Sequence, residues 1–483
     1  MLKRTVDVAI IGAGTAGMGA YREARKHTDS IALIEGGHYG TTCARVGCMP
    51  SKLLIAAAEA AHGAKQAKLF GISTPIVRPD GAAVMERVRR ERDRFVGFVV
   101  EDIEAFDPAH KVWGYARFLD AHRLLIDSGL EITAKRIVIA TGSRPRIPAG
   151  LEDAGSRLLV NDDLFELEQL PKSVLVVGAG VIGLELGQAL SRLGVAVTML
   201  ARGDSVGGIA DSEIRAAATA SFQAEFDLKL HAQVLGVRTT RMGAQVTYRA
   251  ADGAVHIEHF DYVLAAAGRV PNIDRLGLDN TGMAVDANGV PVYDGYTMQT
   301  SVPHIFIAGD ANDELQLLHE ASDEGAIAGR NAASYPTVKP GQRRTRLGIV
   351  FSDPQIAIIG ERPGETSDRP YLTGKVSFHN QGRSRVMGKN RGVLKIYVDE
   401  SSGVLVGAEM LGPAAEHIGH LLAWAVQQSL TVNEILAMPF YHPVVEEGVR
   451  TAFRDAAAQL EKCAQAHCLD SGCLASTKVS APH

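Results

Sequence analysis

The chain is predicted to be α/β, with two strand–turn–helix–strand units of nucleotide-binding type followed by an α+β segment. Three observations lead there. A glycine fingerprint, Gly12-Ala-Gly14-Thr-Ala-Gly17, separates an apolar run from a helical pattern. The arrangement restarts at Gly178-Ala-Gly180-Val-Ile-Gly183. After about residue 343 the texture changes to alternating apolar and polar stretches, the mark of antiparallel strands.

Taken in order, Thr5 to Ile11 reads as a buried strand. A helix follows from about Ala16 to Lys26, and Ile31 to Glu35 is the next strand. Cys48 to about Ala64 is Ala-rich and helical, and residues 82 to 105 form a second long helix. The charge run Glu86 to Arg94 on that helix reads as a solvated face. Arg136 to Ala140 is a strand running into Thr141-Gly142-Ser143. Ser173 to Val177, a helix to about Arg192, and Val195 to Leu200 make the second unit, a weak internal repeat of the first. Ile305 to Ile307 is another strand, ending at Gly309-Asp310. Strands at Gly392 to Val398 and Val404 to Met410 precede helices near 412–429 and 445–462, and the last residues lack periodicity.

The first fingerprint has the context that gives it meaning. Gly12 permits the tight turn, Gly14 lets backbone approach a pyrophosphate, and Gly17 lets helix pack on strand. The helix N-terminus offers free N–H groups to phosphates. Glu35, closing the second strand, can accept ribose hydroxyls. This is a Rossmann-like dinucleotide site. In the second unit the place of that acid holds Ala201, followed by Arg202. A missing carboxylate and an adjacent guanidinium favour a 2′-phosphate, hence NADPH over NADH. The alternative is that Arg202 is a surface arginine and Asp204 is the functional acid.

Cys43 and Cys48 flank Ala-Arg-Val-Gly, and Met-Pro-Ser-Lys52 follows. A disulfide between them closes a small loop and adds little chain-entropy stabilisation. The pair is more chemical than structural, because strained disulfides are the reducible ones. Cys48 falls at the predicted start of a helix, where the dipole favours a thiolate, and Lys52 lies on the same helix face. Cys43 sits in the preceding loop, more open to substrate. Near the C-terminus His442 precedes Pro443, read as starting a helix, and Glu447 lies one turn in. Alone, His442 is a structural histidine; it becomes a base only if something brings it to the cysteines.

Composition sets limits. The chain has 483 residues, is 46% hydrophobic and 22% charged, and carries a net charge of −5. That is ordinary globular composition, and the balance gives no reason to expect nucleic acid or an anionic membrane. The N-terminal apolar run is too short for a membrane span and no targeting segment is read. Five cysteines, two of them close together, do not form a secreted framework, so a cytoplasmic location is expected.

The motifs together resemble the pyridine nucleotide–disulfide oxidoreductases, the two-cysteine FAD flavoproteins, over roughly residues 5 to 455. The loop from Cys43 to Lys52 is the most specific element. Ala140-Thr-Gly-Ser-Arg-Pro145, Ala267-Gly268-Arg269-Val-Pro271-Asn272 and Ala308-Gly309-Asp310 support it. So do Leu318-His319-Glu-Ala321 with Glu324-Gly325, Phe351-Ser-Asp-Pro354, and His442-Pro443 with Glu447. Within the family the loop is most similar to dihydrolipoamide dehydrogenase.

The resemblance implies roles. Gly12, Gly14, Gly17 and Glu35 would bind the ADP half of FAD, with Thr141 and Gly142 beside it. Gly309 and Asp310 would hold its ribityl chain. Gly178, Gly180, Gly183, Arg202 and Gly268 would serve NAD(P)H. Cys48 would face the flavin, Cys43 would exchange with substrate, and Lys52 would pair with Glu185 near the flavin. His442, oriented by Glu447, would move the substrate proton from the other subunit of a homodimer. The expected organisation is an FAD-binding domain over 1–148, an NAD(P)-binding domain over 149–275 and a second FAD-binding part over 276–342. An interface domain over 343–460 and a cysteine-containing tail over 461–483 complete it. The expected substrate is a small-molecule or lipoyl dithiol/disulfide; no metal site is expected. An NADPH-dependent reductase of a small thiol disulfide or a thioredoxin-like protein, similar to glutathione, thioredoxin or mercuric reductases, is the alternative, and a non-catalytic flavoprotein scaffold or redox sensor the one from another class.

Departures from the family pattern are specific. Thr41-Thr42 stands after Gly40 where a pair of glycines is usual. Arg22 matches a substrate-contacting arginine of glutathione reductases, against its reading as an exposed helix residue. Cys463, Cys468 and Cys473 extend the chain as an inert tail, the alternative being a shuttling disulfide allowed by the Cys468–Cys473 spacing.

Overall fold

A computed structural model describes residues 2–364 and 369–470. Three large sheets, with two smaller ones, organise it. In the first, parallel strands run in the order Lys111–Trp113, Ile31–Glu35, Leu2–Ile11 and Leu130–Ile139. Two antiparallel strands, Arg123–Ile126 and Ala116–Phe118, continue that edge. Ile305–Ile307, distant in sequence, returns to pair in parallel with Leu130–Ile139. The apolar run of the first strand follows from burial on both faces. Val8 and Ile10 pack with the helix Thr15–Ala24, while Ala9 and Ile11 pack on the opposite side.

The second sheet repeats the plan. Asp227–Lys229, Ala196–Leu200, Ser173–Val177, Tyr262–Ala265 and Leu158–Leu159 are all parallel. A three-stranded antiparallel sheet, Gln233–Thr240, Gly243–Arg249 and Val255–Phe260, is added to it. The short strands Ser143–Pro145 and Arg269–Pro271 pair across the two units. The third sheet is antiparallel, ordered Leu347–Val350, Gln355–Gly360, Leu405–Gly412, Val393–Asp399 and Tyr371–Ser377. Helices Ala415–Gln427 and Glu447–Asp470 share its core, through residues such as Ile418, Leu422 and Phe453. The α/β class with a C-terminal α+β part is therefore the observed one.

The repeat extends to atomic detail. Gly12 (φ +105°) and Gly178 (φ +117°) turn identically out of their strands. A Cβ on Gly12 would meet the Ala140 carbonyl oxygen at 2.3 Å, and one on Gly178 would meet that of Ala266 at 2.3 Å. Both turns thus require glycine, for conformation and for space.

Some expectations are corrected. Arg92, within the run read as a solvated face, is buried and pairs with Asp93 and Glu166. A periodic charge run cannot show which of its members another element covers. The last helix starts at Glu447 and not at Pro443, and continues to Asp470, into the stretch read as a tail. Cys473 lies outside the described residues, as does the side chain of Cys468.

Candidate active site

The first two units and the C-terminal segment enclose a cleft of about 450 Å³. Cys43, Cys48, Lys52, Glu185, Asp310 and Phe351 line it, so residues far apart in sequence converge.

Cys43 lies in a short helix, Thr42–Val46, and not in an open loop, and it is the less exposed of the two cysteines, not the more open one. Thr41 caps that helix, its Oγ1 accepting the Ala44 N–H at 3.2 Å. Cys48 begins the helix Cys48–Gln66. The hydroxyl of Ser51 donates to the Cys48 carbonyl at 3.1 Å. Both cysteines are free thiols with side chains in hydrogen-bond contact. That contact is the main cause of their opposite acidities. Cys48, accepting from Cys43, is lowered to about 7, with Lys52 assisting against burial. Cys43, donating to Cys48 and partly buried, is pushed far up. The dithiol therefore holds its first negative charge on Cys48.

Lys52 donates to Glu185 at 2.7 Å across the two nucleotide units. The other oxygen of Glu185 accepts the Phe351 N–H at 2.9 Å. The ammonium of Lys52 stands 4.6 Å from the centroid of the Phe351 ring. One turn along the Glu185 helix, Gln188 exchanges two hydrogen bonds with the Asp353 backbone, both 2.8 Å. The C-terminal segment is thereby fixed to the helix behind the second fingerprint.

Asp310 accepts from the Ser143 hydroxyl at 2.6 Å, and Arg269 donates to that same hydroxyl at 2.7 Å. The turn carrying Asp310 is held from below by Glu324, which is almost fully buried. Glu324 accepts from Gly309 N–H and Asn312 Nδ2, each at 2.8 Å, and pairs with Arg343 at 2.8 Å. Burial raises the Glu324 carboxyl and Arg343 opposes it.

His442 is not among the residues lining the cleft. It is exposed, and its Nδ1 meets both oxygens of Glu447 at 3.0 and 3.1 Å. That contact holds the Glu447 carboxyl below its usual range.

Comparison with known proteins decides the family. The model of the pyridine nucleotide-disulphide oxidoreductases matches residues 6–325, and that of their dimerisation domain matches residues 347–453. The chain belongs to this family. A mercuric reductase from Shigella flexneri is 33% identical, covering 95% of this chain and 83% of the relative. A dihydrolipoyl dehydrogenase from Geobacillus stearothermophilus is 31% identical over 91% of this chain and 94% of its own. Among solved structures, LpdA from Mycobacterium tuberculosis superposes with a TM-score of 0.79 at 25% identity, covering 94% of this chain and 99% of that one. The disulfide reductase RclA from Escherichia coli gives a TM-score of 0.78 at 23% identity, again over 94% and 99%, a likeness of fold.

As a member, the chain is an FAD-dependent oxidoreductase that moves electrons between a pyridine nucleotide and a disulfide. The residues present fit FAD. A Cβ on Gly14 or Gly142 would meet nothing within 4 Å, so backbone there is open to a ligand. The buried Thr141 Oγ1 has no hydrogen-bond partner among the described residues. Glu35 ends its strand beside the turn, already fixed by N–H groups of Ala13 and Gly37 at 2.8 Å each. In the second unit Ala201 is buried and Arg202 is exposed. Asp204 pairs with Arg215 at 2.9 Å, which weakens its case as the nucleotide acid.

Arg22 does not reach the cleft; it pairs with Asp102 at 2.9 Å and lies over the Phe106 ring, as an exposed helix residue does. Reasoning from sequence assigned no role to Asn161, Ser143 or Arg269. The last two lie inside motifs already singled out for the family; Asn161 carries no local signal. No described helix is long and apolar enough to cross a membrane.

Proposed function

We propose that the protein is a homodimeric, dihydrolipoyl dehydrogenase-like enzyme coupling NAD(P)H to a dithiol/disulfide substrate through Cys43 and Cys48. The observation carrying this reading is the hydrogen-bonded cysteine pair, with its charge on Cys48, in a cleft shared with Lys52–Glu185 and Asp310.

The first fingerprint, Glu35, Thr141, Gly142 and Asp310 would hold FAD. When bound, FAD supplies electron-pair transfer between the dithiol and the nicotinamide. The protein's own groups do the thiol chemistry. His442 of one subunit, oriented by Glu447, takes a proton from a substrate thiol at the other subunit's pair. The resulting thiolate attacks the Cys43 sulfur of the oxidised pair, breaking the Cys43–Cys48 bond and releasing Cys48 as thiolate. The second substrate thiol then attacks the substrate sulfur of this mixed disulfide, forming the substrate disulfide and displacing Cys43, which takes up the second proton. The substrate leaves as disulfide, and the electron pair stays on the dithiol. Cys48 is suited to leave because its pKa is low.

The second fingerprint with Ala201 and Arg202 would take the nicotinamide nucleotide, with NADPH favoured. That pair of residues also supports the second reading, an NADPH-dependent reductase of a small disulfide. A panel of lipoamide, glutathione disulfide and thioredoxin, run with both nicotinamides, separates the two. Lipoamide turnover well above the others supports the first. Full disulfide turnover by Cys43→Ser would sink both.

A further inference from the structure

We propose that Asn161 is a positioning residue for the Cys43–Cys48 pair, acting across the boundary between the two nucleotide units. The inference rests on reading that pair as the redox centre.

The peptide between the cysteines is short and unusual. The helix Thr42–Val46 ends one residue before Gly47, whose backbone (φ −121°, ψ −114°) belongs to neither helix nor strand. The last carbonyls of a helix lack partners within it. Asn161 Nδ2 supplies one to the Val46 carbonyl at 2.7 Å. Both residues are buried, so water does not replace the donor.

Asn161 starts the short helix Asn161–Leu164, one residue after the strand Leu158–Leu159 of the second sheet. Its amide also donates to Asp162 at 3.0 Å, which fixes its orientation. Phe165 is fully buried behind it and lines the same cleft.

The pair is thus held at its start by Thr41, at its middle by Asn161 and at its end by Ser51. Thr41 and Ser51 are local contacts. Asn161 reaches the pair from outside, beside the Lys52–Glu185 pair further along the helix, and ties the Gly47 turn itself to the second unit. The Cys43-to-Cys48 hydrogen bond depends on the relative placement of two helices joined at that turn. Removing the tether loosens that placement, which weakens the hydrogen bond that keeps Cys48 acidic.

The test uses the reduced holoenzyme and two variants. N161D keeps the shape and removes the donor; N161A removes the side chain without adding charge and serves if N161D fails to fold. Cys48 alkylation by iodoacetamide is followed against pH, together with the long-wavelength thiolate–flavin absorbance. The expected result is an upward shift of the apparent Cys48 pKa and a roughly fivefold to tenfold slower alkylation at neutral pH, the size of one buried hydrogen bond. The long-wavelength absorbance weakens in parallel. A merely structural role predicts a lower melting temperature with both readouts unchanged, and that result overturns the proposal. If the parent enzyme shows neither an acidic Cys48 nor the absorbance, the redox reading fails, and the positioning role with it.

Discussion

Lys52 of the cysteine helix and Glu185 of the second nucleotide unit form an ion pair of 2.7 Å whose carboxylate end is almost fully buried. Behind the dominant contact from Cys43, Lys52 lowers the Cys48 pKa and Glu185 raises it, so the ion pair adjusts the acidity of the thiol in both directions. Lys52→Met should therefore raise the apparent Cys48 pKa. It also leaves a buried carboxylate with the Phe351 N–H as its remaining hydrogen-bond donor. Denaturant unfolding should show a loss of about 1.5–3 kcal/mol, the range for hydrogen bonds to charged groups. A Cys48 titration unchanged by Lys52→Met would contradict this account.

The dithiol should titrate in two well-separated steps. The first belongs mainly to Cys48 and falls near pH 7; the second, dominated by Cys43, lies far higher. Alkylation of the reduced enzyme should rise through pH 7 and then plateau. The folded pKa of Cys48 is depressed, so its contribution is fully present above about pH 9 and lost as pH falls through about 7. Reduced protein should lose part of its stability over that window, and Cys48→Ser should lose none of it there. Unfolding midpoints measured from pH 6 to 9 decide the point.

Thr41 holds φ 57° and ψ 153°, a region essentially reserved for glycine, at the start of the helix bearing Cys43. Its hydroxyl offsets part of the strain by capping Ala44. Thr41→Gly should remove about 1–3 kcal/mol of backbone strain. It should lose only a few tenths of a kcal/mol from the cap. The variant should then be more stable. Thr41→Ala keeps the strain, loses the cap and should be destabilised by about 1 kcal/mol. Equal melting temperatures for the two variants would show that the backbone at Thr41 is not strained.

These relationships mark how far sequence reading reaches. Both fingerprints, their strands and the cysteine helix were legible because each is a local pattern of period and glycine spacing. The Lys52–Glu185 pair was reachable only through the family resemblance, since nothing local links the two residues. Asn161, Phe351 and the Glu324–Arg343 support under Asp310 act between distant segments. Their contribution exists only once the sheets bring those segments together. The burial of Arg92 is hidden for the same reason: its partner Glu166 lies in a turn distant in sequence.

Arg202 is the residue proposed to bear on nucleotide choice. It is exposed beside buried Ala201, with Asp204 engaged by Arg215. Arg202→Ala should lower kcat/KM for NADPH by about tenfold, as loss of a charge-assisted hydrogen bond does, and leave NADH nearly unchanged. A clear NADH preference in the parent that survives the substitution would reverse the assignment.

His442 gives the sharpest test of subunit cooperation. Within one chain it lies outside the cleft, exposed, with its Nδ1 held by Glu447. The proposed role of His442 on the substrate would then call on the second subunit of a symmetric dimer. Cys48→Ser and His442→Ala homodimers should both be nearly inactive. Mixed after reversible dissociation, they form heterodimers with one site carrying both defects and one carrying neither. Random reassociation should restore about a quarter of parental activity, because about half the dimers are mixed and each has one intact site. If the histidine instead served its own subunit's cysteines, every site in the mixed dimer would carry one defect, and mixing would restore nothing.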